Sequence, residues 1–162
     1  PNGGLYPGIC RRLDPALAAD RVVAGATYAL RLDVAKAMAR TGALSWRDLD
    51  RDEQRAAPET LGDVVLARKE TPTSYHLAVT TDDARQGITL VTRGEDLFHA
   101  THVHRLLQAL LDLPVPAWRH HGLLRNERGE RLAKRDGAAT LQALRLAGKT
   151  PAEVRQIAGF PD

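Results

Sequence analysis

Cysteine is nearly absent from the 162-residue sequence, which contains only Cys10. A single thiol excludes an internal disulfide framework and suits a reducing compartment, so we expect a cytoplasmic protein. Long hydrophobic runs are also missing. None approaches the roughly 18 residues of a membrane-spanning helix, which predicts a soluble chain without a membrane partner. Neither sign of charge prevails, because the formal net charge is only +3, and an anionic partner is therefore permitted but not required.

Apolar residues make up 43% of the chain, which is enough for one ordinary core. From residue 62 onwards, strand-like and helix-like patterns alternate. Strands are predicted over residues 63–68, 88–92 and 118–124, and helices over 75–87 and 100–111. The second helix is the clearer one, because its leucines and Val103 recur at the spacing of a core-facing stripe. This alternation predicts an α/β fold with a parallel or mostly parallel sheet.

The first 61 residues have weaker patterns. Residues 1–15 are rich in glycine and proline and predict irregular structure. They are followed by a predicted helix over 16–24, a strand over 27–34 and a helical turn over 35–40. Residues 45–60 combine dense charge with few apolar positions, which indicates a surface excursion without a chemical role. Near the other end, a helix is predicted over 138–147, and Thr150 to Glu153 form the capping-box pattern of another.

A basic segment within residues 122–138 lies between the last predicted strand and a helix. It reads Arg131, Leu132, Ala133, Lys134 and Arg135. Loops at the carboxyl ends of strands collect ligands in open α/β sheets, and flexible cations there can neutralise a polyphosphate. The alternative is a solvated surface turn.

Arg93 lies at the carboxyl end of a predicted strand, at the same edge of the sheet. Its guanidinium can hold a carboxylate by two parallel hydrogen bonds. Tyr75 begins the preceding helix and offers a hydroxyl near that edge. The alternatives are a surface ion pair for Arg93 and a core aromatic for Tyr75.

Other groups invite a chemical interpretation that their spacing does not favour. The histidines lack the spacing of a metal site, so solvated or capping roles are favoured for His99, His102, His104, His120 and His121. Asp82 and Asp83 point in different directions on a helix, which favours a surface or capping role over acid–base catalysis. Tyr6 and Cys10 are two ligands where tetrahedral zinc needs four, and a lone thiol is ordinarily a small buried residue.

Several of these segments together resemble a known family. The runs are SYHLAVTTDDARQGITLVTRGEDLFHATHVHRLLQALLDLP, HHGLLRNERGERLAKRDGA and, near the start, YPGICR. They resemble the catalytic domain of class I glutamyl-tRNA synthetases, and in particular their truncated branch, the glutamyl-Q tRNA(Asp) synthetases. The resemblance implies the second half of a Rossmann-like catalytic domain with a short helical C-terminal segment. It divides the chain into a zinc-insertion remnant (1–15), a connecting region (16–61), the catalytic half with its KMSKS-type loop (62–136) and the helical segment (137–162).

The resemblance also implies roles for individual residues. The KMSKS-type, ATP-binding segment corresponds to Arg131, Leu132, Ala133, Lys134 and Arg135. Within it Lys134 is the expected catalytic contact to the ATP phosphates, and Ala133 replaces a serine of the family pattern. Tyr75 and Arg93 match the glutamate-binding tyrosine and arginine. Tyr6 and Cys10 match the last two ligands of a Zn²⁺ site whose earlier cysteine pair has no counterpart in this sequence.

The implied activity is that of a monomeric ligase that uses ATP and Mg²⁺ to activate L-glutamate and transfers it to the queuosine base of tRNA(Asp). The truncated branch is expected to activate glutamate without tRNA, whereas ordinary glutamyl-tRNA synthetases need tRNA. The sequence begins with Pro1, has no signal peptide and contains no His-x-Gly-His, so we expect a part of a longer product that lacks the HIGH-type half and is inactive alone. The alternatives are a fragment that charges tRNA(Glu), a non-catalytic basic nucleic-acid-binding module and a zinc-dependent structural domain.

Overall fold

The computed structural model of the protein describes residues 5–125, 129 and 140–160. The chain divides into two units, Pro1–His121 and Gly122–Asp162. The predicted ATP-binding segment, Arg131, Leu132, Ala133, Lys134 and Arg135, lies outside the described residues.

The first unit contains both helices and strands. Its α-helices are α1 (Pro15–Val23), α2 (Val34–Thr41), α3 (Tyr75–Arg85) and α4 (Phe98–Leu110). Its strands are β1 (Ala29–Arg31), β2 (Ser45–Asp48), β3 (Asp52–Arg55), β4 (Val65–Arg68), β5 (Leu90–Gly94) and β6 (Ala117–His121). Within the described ranges, no helix is both long and apolar enough to cross a bilayer.

Four strands form the main sheet in the order β3-β2-β6-β5. β6 pairs in parallel with both β5 and β2, while β3 is an antiparallel edge strand. The predicted α/β fold with a mostly parallel sheet is confirmed. One strand was misplaced, however: β4 does not join this sheet but pairs antiparallel with β1 in a separate two-stranded sheet, and its residues are only half-buried or exposed.

The prediction of a surface excursion over residues 45–60 is wrong. This segment forms the hairpin of β2 and β3, in which Asp52 adopts a positive φ of 58° at the turn. Along β2 the side chains alternate between exposed and buried, and the buried ones are Trp46 and Asp48. The alternation was hidden in the sequence because a charged residue occupies one of the two core positions.

Helix α4 organises the core, as its apolar stripe predicted. Val103 and Leu106 are fully buried, and Leu107 is nearly so. Leu106 packs against α2, whereas Val103 and Leu107 pack against Val64. Burial of each leucine stabilises the fold by about 1.5–3 kcal/mol and holds α4 against the rest of the first unit. The apolar stripe ends where the helix ends, since Leu111, the C-terminal cap residue of α4, is exposed.

The second unit contains helices α5 (Leu141–Leu146) and α6 (Pro151–Ile157) in its described part. Thr150 caps α6 as the sequence predicts: its hydroxyl accepts from the Glu153 backbone N–H at 3.3 Å, and the Glu153 carboxylate accepts from the Thr150 N–H at 2.8 Å. The predicted capping box is therefore confirmed.

A candidate carboxylate site around Arg93

Three elements of the first unit bring polar side chains together at Arg93. The parallel register of β5 and β6 pairs Arg93 with His120, near the carboxyl ends of both strands. Helix α4 contributes Thr101 and His104, which share one helix face because they are three residues apart. Helix α3 begins at Tyr75. Its N-terminal cap is Ser74, whose hydroxyl accepts the Leu77 backbone N–H. The carboxyl edge of the sheet thus carries the cluster, as expected for an open α/β sheet.

The guanidinium of Arg93 is held by neutral acceptors. Its Nε donates to His120 Nε2 at 3.2 Å, one terminal nitrogen donates to the Thr101 hydroxyl, and the other donates to His104 Nδ1 at 3.3 Å. Among the described residues, Arg93 forms no ion pair with a carboxylate. Burial lowers the pKa of Arg93, and the nearby phenol of Tyr75 opposes that shift, as do Asp83 and Asp96. The cation is therefore half-buried without a direct counter-charge.

The tautomer of His120 follows from its two neighbours. Arginine can only donate, so His120 Nε2 must be the bare nitrogen and the proton sits on Nδ1. That proton is donated to Asp48 Oδ2 at 2.6 Å, and both side chains are fully buried. Burial lowers the pKa of His120, while the hydrogen bond to Asp48 opposes this. Burial acts to raise the pKa of Asp48, but hydrogen bonds from His120 and the Asp50 backbone outweigh it, and the pKa is lowered.

The same reasoning fixes a second pair of histidines. His104 accepts from Arg93 at Nδ1, so its proton lies on Nε2 and is donated to His76 Nδ1 at 3.1 Å. Burial, followed by the charge of Arg93, lowers the pKa of His104 to about 3, and the same two causes lower the pKa of His76. Both rings are therefore neutral near pH 7. Tyr75 packs edge-on against both, with ring centroids 5.8 Å from His104 and 5.7 Å from His76.

This arrangement can bind a carboxylate. A guanidinium carries five N–H donors, of which the hydrogen bonds to His120, Thr101 and His104 use three. A hydrogen bond with the Tyr75 phenol also acts on the pKa of Arg93, so the two remaining donors serve Tyr75 and an additional acceptor. An anion would also supply the counter-charge that Arg93 lacks. Tyr75, whose side chain remains 51% exposed, offers a hydroxyl beside the guanidinium. Its exposure excludes the alternative of a core aromatic.

A protein-family model matches most of the chain, including these residues. Residues 6–157 match the model described as tRNA synthetases class I (E and Q), catalytic domain. The chain belongs to this family.

Two named relatives illustrate the range of similarity. The chain is 48% identical to a glutamyl-Q tRNA(Asp) synthetase of Rhodobacter capsulatus, over 99% of this chain and 58% of the relative. It is 41% identical to glutamate–tRNA ligase 2 of Acidithiobacillus ferrooxidans, over 93% of this chain and 30% of the relative. The chain spans about half the length of the glutamyl-Q tRNA(Asp) synthetases of Rhodobacter capsulatus and Nocardia farcinica, at 58% and 48%.

A solved structure agrees with the fold. The crystal structure of a glutamate tRNA ligase from Elizabethkingia meningosepticum, in complex with its amino acid, matches with a TM-score of 0.62 at 26% identity. The match covers 82% of this chain and 27% of that chain. The α/β fold of a class I synthetase catalytic domain is thus supported by sequence and by structure.

Within this synthetase chain, the structure brings together two of the residues singled out from the sequence, Tyr75 and Arg93. Their binding role stays a prediction, as does the role of Lys134. The neighbours Asp48, His76, Thr101, His104 and His120 were missed. Solvated or capping roles are wrong for His104 and His120, which are buried and hydrogen-bonded, and for His102, which accepts from Trp46 Nε1 at 3.2 Å. The sequence did contain one signal for this cluster. His104 follows Thr101 by three residues on the core helix α4, so the two side chains share a helix face.

The predicted zinc ligands lie in or just before a short 3₁₀ helix, Ile9–Arg12, with Tyr6 half-buried. The phenol oxygen of Tyr6 accepts the backbone N–H of Cys10 at 2.7 Å, and Cys10 is exposed, so the alternative of a small buried thiol is wrong. Within the part of the chain that the structure describes, no group of three or more His, Cys, Asp or Glu residues could hold a metal ion. Tyr6 and Cys10 alone do not provide the four ligands of a structural zinc site.

Proposed function

We propose that this chain is the amino-acid-binding part of an ATP-dependent class I ligase that activates L-glutamate. The observation that carries the proposal is the half-buried Arg93, which has neutral partners, two remaining N–H donors and the Tyr75 hydroxyl beside it. A site of this kind favours a small carboxylate ligand over a neutral one, because the ligand supplies the missing counter-charge. The similarity to glutamyl-Q tRNA(Asp) synthetases and to a glutamate–tRNA ligase favours glutamate as that ligand.

The reaction has two steps. A carboxylate oxygen of glutamate attacks the α-phosphate of MgATP, which forms glutamyl-adenylate and releases pyrophosphate. A hydroxyl of the acceptor then attacks the activated carbonyl and releases AMP. Arg93 and Tyr75 hold glutamate in place for the first step, and Lys134 neutralises charge that develops on the phosphates. Mg²⁺ enters with ATP and supplies further charge neutralisation.

The proposed acceptor is the queuosine base of tRNA(Asp). Its support is the similarity to named glutamyl-Q tRNA(Asp) synthetases, at 48% identity for Rhodobacter capsulatus and 43% for Nocardia farcinica. A second candidate is the charging of tRNA(Glu), which the 41% identity to a glutamate–tRNA ligase favours. We further propose a cytoplasmic monomer. The sequence has no His-x-Gly-His, so we propose that activity belongs to a longer protein that contains this chain.

Pyrophosphate exchange in the complete protein tests this function. Arg93→Ala is expected to raise the KM for glutamate by roughly 10- to 150-fold, because a hydrogen bond to a charged group contributes about 1.5–3 kcal/mol. The KM for ATP should stay within about twofold, since Arg93 is assigned to glutamate alone. Lys134→Ala should instead lower kcat, because Lys134 acts on the transition state.

Arg85→Ala is the matched control, because Arg85 is an exposed arginine at the end of α3. It should leave both constants unchanged. Glutamate-dependent exchange that survives Arg93→Ala with an unaltered KM would exclude the proposed site, and exchange that ignores glutamate would exclude the proposed substrate.

A further inference from the structure

Asp48 is a charged residue in an unusual place. Its side chain is fully buried on β2, and its partners in the neighbouring strands are Trp118 of β6 and Asp52 of β3. One carboxylate oxygen accepts the Asp50 backbone N–H at 2.9 Å, and the other accepts from His120 at 2.6 Å. Burial of a charge costs free energy, and an ionic pair in the interior is weak evidence for a stabilising role. A role other than stabilising the fold is therefore expected for Asp48.

The carboxylate can enforce one tautomer of His120. An ionised carboxylate only accepts, so it requires the proton on the nitrogen that faces it, Nδ1. The opposite nitrogen is then bare and available to Arg93. The other tautomer would set an Nε2–H against the Arg93 Nε–H and break the hydrogen bond of 3.2 Å that joins them.

Thr101 connects the same groups through its hydroxyl. Its oxygen accepts from a terminal nitrogen of Arg93 and lies 3.2 Å from His120 Nε2. The hydroxyl proton can bond His120 only if Nε2 is bare, which is the state that Asp48 imposes. The Arg93–Thr101 hydrogen bond can persist with either tautomer, because a hydroxyl oxygen has two lone pairs, so the bond from Arg93 Nε is the one of the three that depends on the tautomer of His120.

We propose that Asp48 is a positioning residue for Arg93, which it orients through the tautomer of His120. In that orientation the two guanidinium N–H donors that His120, Thr101 and His104 do not use remain for Tyr75 and a ligand carboxylate. Asp48 does not touch the ligand. The part of the proposal that concerns glutamate rests on the proposed function, whereas the part that concerns His120 and Arg93 does not.

The first test uses the 162-residue wild-type chain with ¹⁵N-labelled histidine and arginine. Two-bond ¹H–¹⁵N correlation distinguishes the bare nitrogen of an imidazole from the protonated one. His120 is expected to carry its proton on Nδ1, and a scalar coupling across the hydrogen bond should link Arg93 Nε to His120 Nε2. A proton on Nε2 in the wild type overturns the proposal without any variant.

The second test compares Asp48→Asn with Asp50→Asn. The amide introduced by Asp48→Asn can donate as well as accept, so His120 is expected to move partly or fully to the Nε2–H tautomer, with loss of the coupling to Arg93. The same substitution at the half-exposed Asp50 should leave both signals in place. An unchanged tautomer in folded Asp48→Asn overturns the proposal, and if this variant does not fold, the wild-type measurement decides.

The third test is kinetic and uses the complete protein. Asp48→Asn should raise the KM for glutamate by roughly tenfold or more, as small displacements of a binding group can, and change kcat and the KM for ATP by less than about threefold. Thr101→Val should act in the same direction, and Thr101→Ser should restore the wild-type KM. A changed tautomer with an unchanged KM for glutamate overturns the positioning role. Failure of the wild type to use glutamate at all would refute the proposed function and leave the NMR results to decide the orientation of Arg93.

Discussion

His104 is a buried residue whose ionisation the fold strongly opposes. It is 3% exposed, and its Nδ1 accepts from the cation Arg93. Protonation would place a second buried positive charge beside the first and break that hydrogen bond, which explains why the pKa falls from 6.5 to about 3. The neutral ring is what allows His104 to serve as an acceptor.

This lowered pKa predicts that stability declines in mild acid. Between pH 6.5 and about 3 the unfolded chain binds a proton at His104 that the folded chain does not, so the free energy of unfolding falls as the pH falls. The contribution of one such group is at most about 1.4 kcal/mol per pH unit. His104→Asn keeps an acceptor near the position of Nδ1 but does not titrate. Between pH 6 and pH 5 its free energy of unfolding should fall by about 1 kcal/mol less than that of the wild type.

Urea unfolding at a series of pH values measures this effect. Only the slopes of unfolding free energy against pH are compared, because the variant also loses the hydrogen bond from His104 to His76 and is less stable at every pH. His99→Asn is the matched control, since His99 is exposed on the same helix and should keep the wild-type slope. A variant at 104 with the full wild-type slope would show that His104 is protonated in the folded state.

At the level of elements, Asp63 joins segments that lie far apart in the chain. One oxygen of its carboxylate accepts the backbone N–H of Val34 at the start of α2, at 3.1 Å. The other accepts both Nε and a terminal nitrogen of Arg11, at 2.9 and 2.6 Å. Its backbone carbonyl accepts from Arg31 of β1 at 2.7 Å. Helix α2 thus obtains an N-terminal hydrogen bond from outside its own sequence, in addition to its cap Asp33.

We expect Asp63→Ala to lower the free energy of unfolding by about 2–3 kcal/mol, because it leaves the buried Val34 N–H without an acceptor. Asp63→Asn keeps an oxygen for Val34 and should cost less. Arg11→Ala should also cost less than Asp63→Ala, because the Arg11 side chain is 49% exposed and water can replace the pair. Urea unfolding of the three variants checks the order, and equal losses for Asp63→Asn and Asp63→Ala would rule out the bond to Val34 as the main cause.

The elements that sequence could predict are those whose pattern is local. Helix α4 was found because its apolar stripe is the one that becomes buried, and β5 because a β-branched run precedes Arg93. Strand β2 was missed because one of its core positions is filled by Asp48, whose partner His120 is 72 residues away. A buried carboxylate is tolerated only where such a partner exists, and no window of local sequence contains both.

The same distinction explains which parts of the candidate site were predictable. Arg93 and Tyr75 could be placed at one sheet edge from their positions in predicted elements. The residues that hold Arg93 could not, since their role depends on tautomers, and a tautomer is set by hydrogen bonds between β2, β6 and α4. In this protein the candidate ligand-binding groups follow from topology, whereas the groups that orient them follow from packing.

At the level of the whole molecule, the proposed function has two candidate acceptors, tRNA(Asp) and tRNA(Glu). In the described residues, the groups that hold Arg93 all belong to the first unit and form hydrogen bonds with it or with one another. We therefore expect this part of the proposed site to form without a bound tRNA. That is the behaviour expected of the truncated branch of the family rather than of ordinary glutamyl-tRNA synthetases.

Pyrophosphate exchange without tRNA therefore discriminates between the two acceptors. We expect the complete protein to exchange pyrophosphate with glutamate and ATP alone, and added tRNA(Glu) to change the rate by less than about threefold, because the Arg93 site needs no tRNA for its assembly. Transfer of ¹⁴C-glutamate to queuosine-containing tRNA(Asp), compared with the same tRNA carrying guanine at that position, then identifies the acceptor. Exchange that appears only when tRNA(Glu) is added would favour the glutamyl-tRNA synthetase alternative and contradict a site that is assembled before tRNA binds.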